Sequence, residues 1–333
     1  MRRQAREGGP DFAALPVTPA DVDRASAVLG NRLHRTPLLS SATLGRVAGA
    51  RVSLHAELFQ RTGSFKPRGM LAKLASLGRD ERERGVITIS AGNAAAAVAY
   101  GAAAEGIDCL VVMWRGASPQ KVAATRSYGA SVDFEAANPE EAFVRVEELR
   151  DRTGRAFVHP FDDAHVIAGH GSLGLEIVEQ RPDVDVVVVP VGGGGLVSGV
   201  ALAVRSARPD ARVVAVEPVG SAALRAALVA GRPVRVTPRS IADGLNAPYA
   251  GELCVAICRE LVTDSVTVSE PEIEDGFRFL YERAKLAAEP AGAAGVAALL
   301  AAKVPDIEGK TVVIVVSGGN VAADIASAIL VRR

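Results

Sequence analysis

The sequence predicts an α/β protein, doubly wound around mostly parallel sheets, and three observations carry that prediction. Short β-branched runs alternate with Ala- and Leu-rich helical stretches along the chain. The runs are apolar at successive positions, as in strands covered by helices on both faces, rather than alternating as half-exposed strands do. No low-complexity linker divides the chain into beads.

The elements follow in order. Thr18-Pro19-Ala20-Asp21 opens a helix, with Thr18 as N-cap and Pro19 at the first helical position, where a backbone N–H has no intrahelical partner anyway. Strands are predicted at 86–90, 109–113 and 132–134. Asn138-Pro139-Glu140-Glu141 repeats the capped start for a helix whose charge-rich segment, 140–152, reads as a solvated face. A strand at 184–191, a helix at 196–206 and a strand at 213–216 come next. Ser269 and Glu272 form a capping box, and the last strand is predicted at 311–316. Residues 85–162 read as a compact series of their own. The expected organisation is therefore a large domain of 1–84 plus 163–333 with a smaller αβ lobe, 85–162, inserted into it.

Composition bounds the function. The 333 residues suit two domains at ~150 residues each, or one with an inserted lobe. Such a chain buries roughly three quarters of its unfolded surface and needs neither disulfides nor metal to fold. Apolar residues at 49% and charged residues at 23% exclude wholesale disorder. Lys+Arg and Asp+Glu balance at 38 each, so no nucleic-acid or membrane partner is expected. Cys109, Cys254 and Cys258 are too few and scattered for a disulfide framework or a zinc cluster, which points to a reducing compartment. Cys254 and Cys258, one turn apart on an apolar helix, read as buried thiols. The basic start lacks an apolar stretch after it, and no run approaches the ~20 residues of a spanning helix, so a cytoplasmic location is expected.

Three segments break local rules in ways that chemistry explains. In Thr62-Gly63-Ser64-Phe65-Lys66-Pro67-Arg68-Gly69, Lys66 stands where a loop meets a helix. A helix N-terminus favours anions, so a lysine gains nothing there. A nearby positive end and desolvation lower an amine's pKa, which makes it a nucleophile near neutral pH; the bland reading is a surface lysine. Gly192, Gly193, Gly194 and Gly195 follow the most apolar strand and lead through Leu196 into a helix. Lacking Cβ atoms, they let consecutive N–H groups close around an anion, so the turn reads as a phosphate site, with a flexible turn as the alternative. It matches neither the GxGxxG fingerprint nor a Walker loop. Ser90-Ala91-Gly92-Asn93 lies between a strand and a helix expected from Ala94. Asn93 reads there as an N-cap or as an amide facing a ligand beyond the strand ends. Ser317-Gly318-Gly319-Asn320 ends the last strand and places a hydroxyl in the same crevice. Together the four segments describe a site for a phosphorylated aldehyde.

On these residues the chain resembles the fold-type II pyridoxal-phosphate enzymes, in the serine/threonine dehydratase and serine racemase branch. Glu57-Leu58-Phe59-Gln60 followed by residues 62–69 is similar to the family's Schiff-base lysine motif. Residues 90–93 resemble the loop that contacts cofactor and substrate carboxylate, Gly192 to Leu196 the phosphate loop, and 317–320 the segment that meets the pyridine nitrogen. His159-Pro160-Phe161-Asp162-Asp163, Ala168-Gly169-His170-Gly171-Ser172, Val216-Glu217-Pro218 and Ala242-Asp243-Gly244 follow the family's order and spacing. The likeness runs from about residue 17 to the C-terminus. It implies a tryptophan synthase β-like fold with pyridoxal 5'-phosphate as cofactor. Lys66 is then the Schiff-base lysine and the base that removes the Cα proton. Phe65 packs near the cofactor ring, Asn93 binds its hydroxyl, Gly192, Gly193, Gly194, Gly195 and Leu196 hold the phosphate, Ser317 meets the ring nitrogen, and Glu289 lies near the cofactor. Ser90, Ala91, Gly92, Asn93, Ala94 and His170 are the implied substrate residues. A hydroxyl partner leaves the ring a weaker electron sink, which favours prompt loss of a β-leaving group. The implied reaction is dehydration and deamination of a β-hydroxy amino acid such as threonine or serine to a 2-keto acid and ammonia, in a homodimer.

Several positions depart from the pattern. Ala91 stands where racemases of the branch place a serine acid/base, and alanine transfers no proton. Ala94 and Ala95 replace the usual His and Gln, and His170 and Ser172 replace the commoner Gln and Thr, which bears on substrate identity. His170 reads as a substrate contact or as a loop histidine satisfied by backbone. Some relatives hold a divalent cation on a glutamate like Glu217 and an aspartate six residues later; Ala223 stands at that later position, so no metal is expected. The chain also stops soon after Asn320, so no C-terminal amino-acid-sensing domain is expected. Alternatives are a racemase or β-replacement enzyme of the same fold, and a non-catalytic relative that binds the cofactor. A nicotinamide oxidoreductase is the fourth, disfavoured by the missing GxGxxG.

Overall fold

The computed structural model describes residues 10–332. The basic start discussed above falls largely on residues 1–9, outside the described residues. In chain order the elements begin with α1 Pro19–Leu29, β1 Leu38–Ser40, α2 Ala42–Ala48 and β2 Arg51–Ala56. They continue with α3 Lys66–Ala75, α4 Arg79–Arg84, β3 Val86–Ile89, α5 Asn93–Glu105 and β4 Cys109–Trp114. Then come α6 Pro119–Ser127, β5 Ser131–Ala136, α7 Pro139–Thr153, β6 Ala156–Phe157 and α8 Ala164–Gln180. Next are β7 Val186–Pro190, α9 Gly195–Ala207, β8 Arg212–Pro218, α10 Ala223–Ala230 and α11 Glu252–Leu261. The last are β9 Asp264–Val268, α12 Glu270–Phe279, α13 Pro290–Leu300, β10 Thr311–Val316 and α14 Ala323–Val331.

Two sheets result. The larger has the order β1-β2-β10-β7-β8-β9 and is parallel except for β1, which pairs antiparallel with β2. The smaller, β5-β4-β3-β6, is parallel throughout. Successive residues of β10 explain the apolar runs. Val313 and Val315 face a core shared with α8, α9 and α11, whereas Val312, Ile314 and Val316 face one shared with α12 and α13. Both faces are covered, so both sets are apolar.

Every strand predicted from sequence is present. Four others escaped the pattern. β1 and β6 are three and two residues long. β2 carries Ser53 and His55, and β9 opens with Asp264, all buried. Arg212 Nη2 donates to Asp264 Oδ2 at 2.8 Å, and such partners let polar residues enter a strand that a hydrophobicity reading discards. The predicted starts at Thr18, Asn138 and Ser269 are caps in the structure: Asn138 accepts from Glu141 N–H, and the other two head capping boxes.

The small sheet has its own core. Val86, Val111 and Met113 pack with α5 on one face, and Ile87, Ile89 and Val112 pack with α7 on the other. Met70 and Leu74 of α3 and Val166 of α8 complete the first face from outside the 85–162 span. Helix α3 therefore lies between the two sheets. Among the described residues no helix is long and apolar enough to cross a membrane.

Candidate active site

The parallel strands leave their C-terminal ends on one side, and a cleft of about 660 Å³ opens there. Loops after β3, β7 and β10 supply residues 90–94, 191–195 and Ser317 to its wall.

Lys66 is the first residue of α3. Its approach is pinned to the end of β10: Ser64 bridges Gly318, Phe65 N–H donates to Ser317 O at 3.0 Å, and Gly319 N–H donates to Gly63 O at 2.9 Å. Thr62 takes a left-handed backbone, φ 61°, to make that turn. Lys66 Nζ donates to Pro160 O at 2.9 Å and lies 5.0 Å from the Phe65 ring centroid. Loss of water around the amine pushes its pKa down to about 8, against the opposing pull of Cys254 and Glu289.

The glycines form a shaped cradle. A Cβ on Gly193 would stand 2.3 Å from Phe161 Cγ, far inside contact distance, and one on Gly195 would stand 2.7 Å from Phe161 O. Gly194 has φ 99° and caps α9 with no side-chain hydrogen bond, so the first N–H groups of that helix remain for a ligand. A Cβ there would also stand 2.8 Å from Cys254 Cβ.

Asn93 is the first residue of α5 and not its cap, which is Gly92. The amide is instead held from two sides. Nδ2 donates to Glu289 Oε1 at 2.7 Å, and Oδ1 accepts from Asn320 Nδ2 at 2.9 Å. Asn320 Nδ2 also donates to Thr62 O at 2.7 Å. Glu289 caps α13, is buried, and keeps Oε2 without a partner. Burial, and next the charge of Asp243, push its pKa up to about 7. Asp243 itself pairs with Lys121 of α6 across the mouth of the cleft.

Comparison with known proteins agrees with this geometry. Residues 31–318 match the family described as pyridoxal-phosphate dependent enzyme. The chain belongs to that family. It is 44% identical over 306 residues to an L-threonine ammonia-lyase of Thermotoga maritima, covering 92% of this chain and 76% of that one. It is 40% identical over 309 residues to the catabolic L-threonine dehydratase of Escherichia coli, covering 92% and 94%. The solved maize serine racemase superposes with a TM-score of 0.90 at 35% identity, covering 94% of this chain and 96% of that one.

As a member of that family the chain uses pyridoxal phosphate, and its cleft fits the cofactor. The side-chain-free turn at a helix start suits a phosphate, and the desolvated amine suits an aldehyde. The structure gathers Phe65, Lys66, residues 90–94, Gly192 to Leu196, Glu289 and Ser317 around one cleft.

His170 is the exception. It lies within helix α8, fully buried, and not in a loop at the cleft. Its ring meets Phe65 edge-on at 4.8 Å and stands 2.5 Å from where a Gly69 Cβ would be. His170 is not among the residues lining the cleft, where it was expected with the substrate residues; Phe65 and α3 pack against its ring instead. Neither ring nitrogen has a partner, so it is not satisfied by backbone either. Burial drives its pKa well below the ordinary value and keeps it neutral.

Glu217 accepts from Leu224 N–H at 2.7 Å and Arg225 N–H at 2.8 Å, and so closes the start of α10. Among the described residues one trio has metal-like proximity: His55, Glu57 and Glu176. Arg68 fills its centre. Its guanidinium donates to Glu57 at 2.8 Å through Nε and Nη2, and to Glu176 at 2.7 and 3.0 Å. Burial alone would raise the Glu57 carboxyl, but Arg68 overrides it and holds the pKa low. This group anchors α3 to β2 and α8, close behind Lys66. Nothing in the sequence marks Arg68 for this role, since a buried arginine inside a motif looks like any other.

Proposed function

We propose that the cleft carries out β-elimination on a β-hydroxy amino acid, threonine or serine by likeness to the relatives named above, releasing a 2-keto acid and ammonia. The observation that carries this reading is the Lys66 amine, largely desolvated, in one cleft with a side-chain-free anion cradle and with Ala91 on the cleft wall. Gly192, Gly193, Gly194 and Gly195 would hold the cofactor phosphate, Asn93 its ring hydroxyl, Ser317 its ring nitrogen, and Lys66 its aldehyde. Bound there, pyridoxal phosphate supplies an electron sink conjugated to the substrate Cα.

The chain's own groups do the rest. With a pKa near 8, a useful fraction of Lys66 is neutral at physiological pH and takes the Cα proton. The N–H groups of the α5 first turn, which Gly92 caps without a side chain, would receive the substrate carboxylate. Ser317 is a neutral hydroxyl and does not hold a full positive charge on the ring nitrogen. A cofactor held on a hydroxyl in this way would be a weaker electron sink and would favour loss of a β-leaving group over return of the proton. Ala91 supplies no acid for the opposite face, which weighs against the racemase reading that the maize structure raises.

A homodimer, a cytoplasmic location and a domain division at 1–84 plus 163–333 against 85–162 belong to the same proposal. Size-exclusion chromatography with light scattering tests the dimer.

The function is tested by offering threonine, serine, phenylserine and 3-hydroxyaspartate and following 2-keto acid and D-isomer together. Keto acid from at least one substrate is expected, with little D-isomer; D-isomer as the main product would replace this reading with the racemase. Lys66→Ala should lose more than about 1000-fold in turnover and the colour of the bound cofactor.

A further inference from the structure

Lys66 needs an acceptor whenever its amine is free, and the structure provides one that no side chain supplies. That acceptor is the Pro160 carbonyl, 2.9 Å from Nζ. A backbone carbonyl points wherever its peptide plane is set. The Pro160–Phe161 peptide is trans, so its C=O and the Phe161 N–H point in opposite directions. Whatever holds the Phe161 N–H therefore aims the carbonyl.

His159 holds it. His159 Nδ1 accepts from Phe161 N–H at 3.2 Å and from Asp162 N–H at 2.7 Å. Accepting twice, Nδ1 carries no proton, so the ring hydrogen sits on Nε2, 3.2 Å from the Tyr249 hydroxyl oxygen. The ring is clamped edge-on by Phe157 at 5.6 Å and Phe161 at 4.6 Å. The flanks are also tied down: Asp162 caps α11 through Glu252 and Leu253 N–H, and Asp163 caps α8 and pairs with Lys73 of α3 at 2.8 Å.

Resting on the reading of Lys66 as the reacting amine, we propose that His159 is a positioning residue for it, aiming the Pro160 carbonyl that receives the free amine. The same turn presses the Phe161 ring against Gly193, so one imidazole sets the amine and the phosphate cradle relative to each other. Burial pushes the His159 pKa down to about 4, so it stays a neutral acceptor wherever the enzyme works.

The test compares His159→Asn, His159→Gln and His159→Leu in the full chain. An asparagine Oδ1 lies where Nδ1 does and accepts the same two N–H groups; a glutamine amide reaches the Nε2 position, and leucine accepts nothing. Two quantities are read: acylation of Lys66 by acetic anhydride in cofactor-stripped protein, mapped by mass spectrometry, and kcat and KM for keto acid release. The leucine and glutamine variants should acylate at least about threefold faster and lose about tenfold in kcat, with KM changed less than about threefold. The asparagine variant should return both towards the parent at a comparable melting temperature. Asparagine no better than glutamine overturns the proposal, and so do unchanged acylation and kcat in folded His159→Leu. If leucine does not fold, the asparagine–glutamine pair decides alone. Acylation needs neither cofactor nor substrate, so a parent enzyme that releases no keto acid would sink the proposed reaction while leaving this test intact.

Discussion

Glu289 is where the electrostatics of the cleft converge on one group. The folded chain keeps its carboxyl protonated up to about pH 7, whereas an unfolded chain releases that proton near the usual carboxylate value. The folded state thus binds the extra proton between those two points. Stability from this group is present below the unfolded value and is lost as pH rises through about 7. Glu217, raised to about 7 chiefly by burial, adds a second slope of the same sign. Glu289→Gln keeps an acceptor for Asn93 Nδ2 and removes the charge. It should raise the stability of the cofactor-free chain at pH 8 by on the order of 2 kcal/mol and leave pH 4 nearly unchanged, as read from urea midpoints. Residues such as Lys66, Asn93 and the glycines were legible in the sequence because each is out of place in its local pattern. Pro160 was legible only as part of a motif, since a carbonyl's direction leaves no mark in the sequence. His170 was misplaced because residues 166–174 of α8 are buried all round, so the helical period gave its ring no direction.

At the level of elements, the close fits around α3 and α9 decide what the chain tolerates. Gly193→Ala puts a methyl group 2.3 Å from Phe161 Cγ, so the ring must move. Overpacking of that kind costs about 1–3 kcal/mol, to be read from the urea midpoint of the cofactor-free chain, and the displaced cradle should bind pyridoxal phosphate less tightly in a spectrophotometric titration. Arg68→Met leaves Glu57 buried without its counter-charge and should cost about 3–5 kcal/mol in denaturant unfolding; adding Glu57→Gln should recover part of it. Strands such as β10 were legible because both faces are apolar. β2 was not, because His55 and Ser53 look like surface residues until their surroundings are known.

Across the whole molecule, Lys121 of α6 and Asp243 face each other over the cleft mouth, one from the small sheet's helices and one from a loop beside the large sheet. Asp243 is more than half exposed, so the pair contributes little to stability, and Asp243→Asn should shift unfolding by less than about 1 kcal/mol. It should change KM more than kcat and flatten the salt dependence of KM in steady-state assays. The parallel architecture was legible from alternating runs alone, but nothing in the order of elements marks which helix is shared between the sheets.

That shared helix has a mechanical consequence. On one flank α3 packs Met70 and Leu74 into the small sheet's core, and on the other Gly69 lies 2.8 Å from where a Gly169 Cβ would be. A tilt of one layer against the other has to pass through the rod that carries the nucleophile. Positions 69 and 169 act as its bearing, and a methyl group at either would shift the reactive nitrogen without altering any side chain that faces the cofactor.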